Sequence, residues 1–239
     1  MKRLGVIGGL GPIATAYFYE LVIKMTDAKT DQEHIEMLIF SKPSIPDRTD
    51  FILGKSRENP VHDMIEVGKR LTDMGVDLIA VPCITAQYFN GTLTRNINVP
   101  VINTVKETVG HIKDCGVKRA GIMATEGTIR SELFQKELEA KGMHAVIPSP
   151  ERQQDVTDLI YKNVKAGRPV EFDKFMAVSS ELRNNGAEVI ILGCTELSLI
   201  KRDYPIGSGF VDAMEVLAMR SIELCEARLK AEYRKLITR

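Results

Sequence analysis

The 239-residue sequence has no excess of either charge, since 32 Lys and Arg balance 32 Asp and Glu. No net field draws nucleic acid or an acidic membrane, so an anionic ligand has to be held by local groups. Cysteine is scarce, and four in a chain of this length do not make a disulfide framework. Free thiols and a reducing, cytoplasmic location are the expectation. No apolar run is long enough to span a bilayer. Met1-Lys2-Arg3 leads into a short strand and a glycine turn, which does not read as a signal peptide. His34, His62, His111 and His144 are scattered without zinc-ligand spacing, so no metal is expected. What remains is 44% hydrophobic and 27% charged, enough for a true core in one large or two small domains.

One stretch occurs twice in this plain background. Gly75-Val-Asp-Leu-Ile-Ala-Val-Pro-Cys83 is matched by Gly186-Ala-Glu-Val-Ile-Ile-Leu-Gly-Cys194. Each has a glycine, a small apolar residue, an acid, an aliphatic run and then a cysteine. Thr85 follows the first cysteine by two residues, and Thr195 follows the second directly.

The rest of the chain repeats in the same way. Leu4–Gly8 reads as a buried strand closed by Gly9-Leu-Gly-Pro12, with Pro12 opening a helix to about Asp27. A strand over 35–40 and a two-proline loop over 41–49 follow, then an amphipathic helix over 60–74 carrying Val61, Met64, Ile65 and Leu71. The Cys83 strand, a helix, a short strand over 99–102 and a helix from Thr104 to near Cys115 complete the first half. Residues 119–131 then echo residues 3–15, with Arg, Gly, Gly and Ile in register. A helix to about Lys141, a strand over 145–147 and a helix capped by Ser149-Pro150 and ending before Gly167 come next. Phe172, Phe175, Met176 and Leu182 mark one more helix before the Cys194 strand. Asp212 caps a long C-terminal helix with Val216, Leu217, Ile222 and Leu229 on its apolar side.

Alternating strands and helices in two similar halves predict an α/β fold of two parallel-sheet domains related by a pseudo-twofold. The crossings are placed near 103 and 209, giving one domain of 1–103 plus 209–239 and a second of 104–208. Parallel sheets bind ligands beyond the carboxyl ends of their strands, where both cysteines sit. A lone strand-end cysteine reads most simply as a small buried hydrophobe. Core packing has no need of cysteine in both copies, and the duplication points to chemistry.

Two thiols flanking one cleft suit removal of a proton from one face of a stereocentre and its replacement from the other. A helix N-terminus after each cysteine is expected to lower the thiol's pKa. Thr85, Thr195 and nearby amides are placed to stabilise the carbanion through the substrate carboxylate. Cys115 and Cys225 read as a helix-end and a packing residue, and Thr125 and Thr128 as turn and cap residues at the edge of the cleft.

Gly8-Gly-Leu-Gly-Pro12, Pro43-Ser-Ile-Pro-Asp-Arg-Thr49, Pro82-Cys-Ile-Thr-Ala86 and Gly193-Cys-Thr-Glu196 together resemble the aspartate/glutamate racemase superfamily, in its aspartate racemase branch. The resemblance spans essentially the whole chain. It implies cofactor-independent racemisation of aspartate or glutamate, a homodimer, and an active site between the domains. Carried over, Cys83 and Cys194 are the acid/base pair, and Leu10, Thr85, Thr195 and Glu196 line the substrate. Arg48 is implied as the ligand of the side-chain carboxylate, and Lys165 as a second cation in the cleft. The family's Asn-Thr-Ala-His after the first cysteine is here Ile84-Thr85-Ala86-Gln87, so Ile84 meets the substrate without a hydrogen-bonding group.

Two other functions are compatible with the sequence. Gly9-Leu-Gly-Pro-Ile-Ala14 fits a dinucleotide fingerprint, with Ser41-Lys42 in position for an NADP 2′-phosphate. A non-catalytic amino-acid-binding protein is the other, and Ile84 is the feature that suggests it.

Overall fold

The computed structural model describes residues 1–238. In chain order the elements are β1 (Leu4–Gly8), α1 (Pro12–Met25), β2 (Met37–Ser41), α2 (Arg48–Ile52), α3 (Val61–Asp73), β3 (Leu78–Ala80), α4 (Asn90–Asn96) and α5 (Thr104–Asp114). Then come β4 (Arg119–Ala124), α6 (Glu126–Arg130), α7 (Leu133–Ala140), β5 (His144–Val146), α8 (Pro150–Thr157), α9 (Phe172–Asn184), β6 (Val189–Gly193), α10 (Thr195–Asp203), β7 (Phe210–Asp212) and α11 (Ala213–Leu224).

Two parallel sheets result, in the orders β2-β1-β3 and β5-β4-β6-β7. A parallel bridge from Ile79 to Val101 extends the first sheet in the place that β7 takes in the second. The two halves therefore share one topology, and the expected pair of α/β domains is the fold observed. Each sheet is covered on both faces, and the strands show it with period-two sorting. Leu4, Val6, Leu78 and Ala80 turn to a central core that also receives Ala120, Ile122, Val189, Ile191 and Val211. Ile7, Ile79 and Val81 face an outer layer of the first half, and Met123, Ile190, Leu192 and Phe210 an outer layer of the second.

The crossover helices α5 and α11 pack side by side in the central core, with α11 also against α1. Equivalent caps start them. Asn103 accepts from the Lys106 amide at 3.0 Å, and Asp212 from the Met214 amide at 2.9 Å. The sequence places the second crossing near 209, whereas β7 keeps the chain on the second sheet to Asp212. Asp212 also accepts from Ser198 at 2.7 Å, and the neighbouring Lys201 and Glu215 form a largely buried ion pair joining α10 to α11. Burial holds both Asp212 and Glu215 above the usual carboxylate range, with Asp212 adding to the effect on Glu215.

Several expected elements differ in detail. The C-terminal helix stops at Leu224, where Glu226 turns the chain with φ of 61°, so Leu229 lies beyond it and bridges Thr26 instead. The short strand over 99–102 reduces to the bridge at Val101. The first segment after Cys83 is a tight 3₁₀ turn over Thr85–Phe89, followed by α4. The helix capped by Ser149 gives way after Thr157 to a π-helical turn over Asp158–Val164. Among the described residues, no helix is long and apolar enough to cross a membrane.

Candidate active site

Both cysteines lie just past strand ends, but the two copies get there differently. Pro82 cannot donate to a ladder, so β3 stops at Ala80 and a turn with Cys83 N–H on the Val81 carbonyl (2.7 Å) delivers the thiol. In the second copy glycine replaces that proline, β6 runs to Gly193, and Cys194 becomes the N-cap residue of α10. Each thiol is buried, at 6% and 5% exposure, and neither is in a disulfide. They line one small cavity, of about 10 Å³, between the halves.

All nine residues singled out in the sequence line that cavity: Cys83 and Cys194 with Leu10, Arg48, Ile84, Thr85, Lys165, Thr195 and Glu196. Asp47, Thr49, Thr125 and Tyr161 complete it. As the side chains stand they nearly fill the space, so a substrate has to displace some of them. An open groove outside shares Asp47, Arg48, Lys165 and Glu196 with the cavity.

Arg48 begins α2, which Asp47 caps by accepting from the Asp50 amide. Its guanidinium donates to the carbonyls of Ile45 (3.3 Å), Pro46 (2.9 Å) and Leu10 (3.2 Å), which fixes it against the first glycine loop. Nε is buried without a partner, and the Cys83 thiol is a neighbour of the group. Burial works against the charge, but Cys83 and Asp47 outweigh it and raise the pKa of the guanidinium.

Lys165 follows directly on the π-helical turn. Its ammonium lies 4.4 Å from the Tyr161 ring centroid and 3.7 Å from the Asp47 carboxylate. Burial again works against the charge, and Glu196, Tyr161, Cys194 and Asp47 together leave the amine above its usual range. Burial also pushes the Tyr161 phenol up to about 12, so it stays protonated at neutral pH.

A triangle of buried hydroxyls ties the halves together. Thr85 and Thr125 are 2.9 Å apart, Thr125 and Thr128 3.0 Å, and Thr128 donates to Thr85 at 3.2 Å. Thr125 also caps α6, so the capping role and the cleft-edge role belong to one side chain. Gln87 does not face the cavity; it accepts from the Thr104 amide at 3.1 Å and helps to start α5. Ile84 packs into the central core while still lining the cavity, so its apolar character serves both.

The two thiols have different surroundings. Cys194 donates to Glu196 Oε2 at 2.9 Å, and Thr195 donates to the same oxygen at 3.1 Å. Burial first, then Glu196, push the Cys194 thiol well above its ordinary pKa. The helix-start position alone predicts the opposite direction. A carboxylate in the first turn and loss of water override the partial charge of the helix end.

The dinucleotide alternative meets a geometric obstacle. Gly9 has φ of +86°, and a Cβ there would lie 2.4 Å from the Lys42 nitrogen and 2.7 Å from that of Pro43. The glycine serves close packing of the protein's own backbone, where a fingerprint glycine admits a pyrophosphate. Lys42 is not free for a 2′-phosphate either, since it pairs with Asp63 at 2.7 Å and Glu66 at 3.2 Å. Gly9→Ala is expected to destabilise the fold by at least ~2 kcal/mol in urea titration, combining left-handed strain with overpacking. Among the described residues, no group of three or more His, Cys, Asp or Glu is arranged to hold a metal ion.

Comparison with known proteins agrees with this geometry. The family described as Asp/Glu/hydantoin racemase matches residues 7–220. The broad specificity amino-acid racemase RacX of Bacillus subtilis (strain 168) is 28% identical, over 92% of this chain and 96% of its own. The aspartate racemase of Picrophilus torridus superposes with a TM-score of 0.83 at 30% identity, covering 99% of both chains. A glutamate racemase from Francisella tularensis shares the fold, with a TM-score of 0.67 at 17% identity over 93% of this chain and 80% of that one. With its family match, its two sheets and its paired strand-end thiols, the chain belongs to the Asp/Glu/hydantoin racemase family of isomerases.

Proposed function

We propose that the protein racemises an acidic amino acid, aspartate or glutamate, by two-thiol acid/base catalysis without a cofactor. The observation that carries this is the meeting of Cys83 and Cys194 in one buried cavity, each from the end of an equivalent strand. In the proposed reaction one thiolate removes the α-proton and the opposite thiol delivers another to the far face. Arg48 and Lys165 supply positive charge for the substrate's carboxylates, and the Thr85 and Thr195 hydroxyls are donors at the same cavity. The names of the two relatives above, one an aspartate racemase and one of broad specificity, support an amino-acid substrate.

The halves that meet at the cavity act in this reading as two domains. The first contains residues 1–103 with the C-terminal helix, and the second holds β4 to β7. A homodimer in the cytoplasm is the setting we propose.

Chiral chromatography of a panel of L- and D-amino acids incubated with the protein tests the substrate. Conversion of both aspartate enantiomers, or both glutamate enantiomers, toward an equal mixture is the expected result. Ile84 offers no polar contact, and turnover restricted to neutral amino acids would refute the acidic-substrate assignment.

A further inference from the structure

Cys83 and Cys194 have different charged groups beside them. The charged neighbour of Cys83 is the Arg48 guanidinium, while that of Cys194 is the Glu196 carboxylate. Glu196 is 5% exposed and closely held. One oxygen accepts from both Cys194 and Thr195, and the other faces Gly11, where an added Cβ would come within 3.3 Å. A neutral thiol can donate to that carboxylate. A thiolate has no proton to give and would face a like charge within hydrogen-bond distance.

We propose that Glu196 is a positioning residue that holds Cys194 as the protonated thiol in the free enzyme, so that Cys194 meets the substrate as the acid. This rests on the racemase function proposed above. For the enantiomer whose Cα–H faces Cys83, the α-proton passes to Cys83 Sγ and the Cys194 proton passes to the opposite face of the carbanion. Product then leaves an enzyme with a Cys83 thiol and a Cys194 thiolate beside Glu196. That form is reset when the opposite enantiomer reacts, or when Cys194 regains a proton from water and Cys83 loses one.

Lys165, from the π-helical turn, partly opposes Glu196 but is itself shared with Asp47 and Tyr161. Arg48 lies across the cavity. Asp212 is bound to Ser198, and Lys201 is paired with Glu215, along α10 and α11. Glu196 alone among them is hydrogen-bonded to the thiol.

The test is alkylation by iodoacetamide at a series of pH values, with each cysteine followed by peptide mass spectrometry, in wild type and Glu196→Gln. The thiolate is the reactive form, so the midpoint of each profile reports that thiol's protonation. The variant is expected to move the Cys194 midpoint down by about one pH unit, raising its labelling near neutrality about tenfold. A Cys194 profile that stays in place, or moves up, overturns the proposal. Should Glu196→Gln not fold, carbon-13 at cysteine Cβ in the wild type reads the same state, with Cys194→Ala assigning the signal. A Cys194 signal in the thiolate position at neutral pH also overturns the proposal. Labelling needs no substrate, so a failed racemase assay and a failed role for Glu196 are separate outcomes.

Discussion

Replacing either Cys83 or Cys194 by alanine is expected to lower racemisation about 10³-fold or more, since each removes one of the two groups proposed to move the proton. The fold should survive both changes. Each thiol lies past a strand end, where its packed layer borders the cavity, and trimming one sulfur there is expected to move the urea midpoint by less than about 1 kcal/mol equivalent. The remaining cysteines provide the contrast. Cys115 is exposed at the end of α5, and Cys225 is buried beyond α11, away from the cavity. Cys115→Ala is expected to leave the rate within twofold, and Cys225→Ala to lower stability without altering the rate of the folded enzyme. Chiral chromatography under saturating substrate, with circular dichroism as the folding control, checks all four. Activity within tenfold of wild type in either active-site variant would rule out that thiol as acid or base.

Lys201→Met is expected to destabilise the protein by about 3–5 kcal/mol at neutral pH, because it leaves a buried carboxylate without its cation. Lys201 and Glu215 are each only 14% exposed, and Asp212 is fully buried one turn from Glu215. The sign of the pH dependence follows from the direction of the shifts. Both carboxyls lie above their ordinary range in the folded protein, so the native state binds more protons than the unfolded chain just above that range. Stability from these groups is therefore present at low pH and lost as pH rises through the folded-state values. The variant should recover part of its deficit on acidification from about pH 7 to 5, measured as the difference in urea midpoint from wild type. A deficit that grows on acidification would contradict the buried-carboxylate account.

The thiol pair was legible in the sequence because an apolar strand ending in cysteine is repeated, and aliphatic runs announce buried parallel strands. The architecture followed from the same repeat. Lys165 and Tyr161 were harder. They are four residues apart across a π-helical turn, and no 3.6-residue periodicity reveals where such a turn widens. In the sequence Lys165 is reached only through the family resemblance, and the signal of Tyr161, an aromatic four residues before that lysine, is weak by itself. Asp47 and Thr49 lay within the two-proline motif but had no role until Asp47 appeared beside Lys165 and Thr49 in the cavity wall. The direction of the Cys194 shift was also out of reach. A helix start is visible in sequence, but whether Glu196 points outward or folds back onto the thiol depends on the rotamer that packing selects. Gln87 shows the converse: four residues after the first thiol, its side chain serves to hold the crossover helix.

In the proposed reaction two groups, on opposite faces, exchange the α-proton with solvent. Its most direct test is racemisation in heavy water, with each enantiomer separated at early times and its deuterium content measured by mass spectrometry. Newly formed product is expected to carry deuterium at Cα while the recovered substrate keeps its proton, and Cys83→Ala and Cys194→Ala are expected to lower product formation about 10³-fold or more. Product that retains the substrate's proton, or substrate that exchanges as fast as product forms, would contradict it.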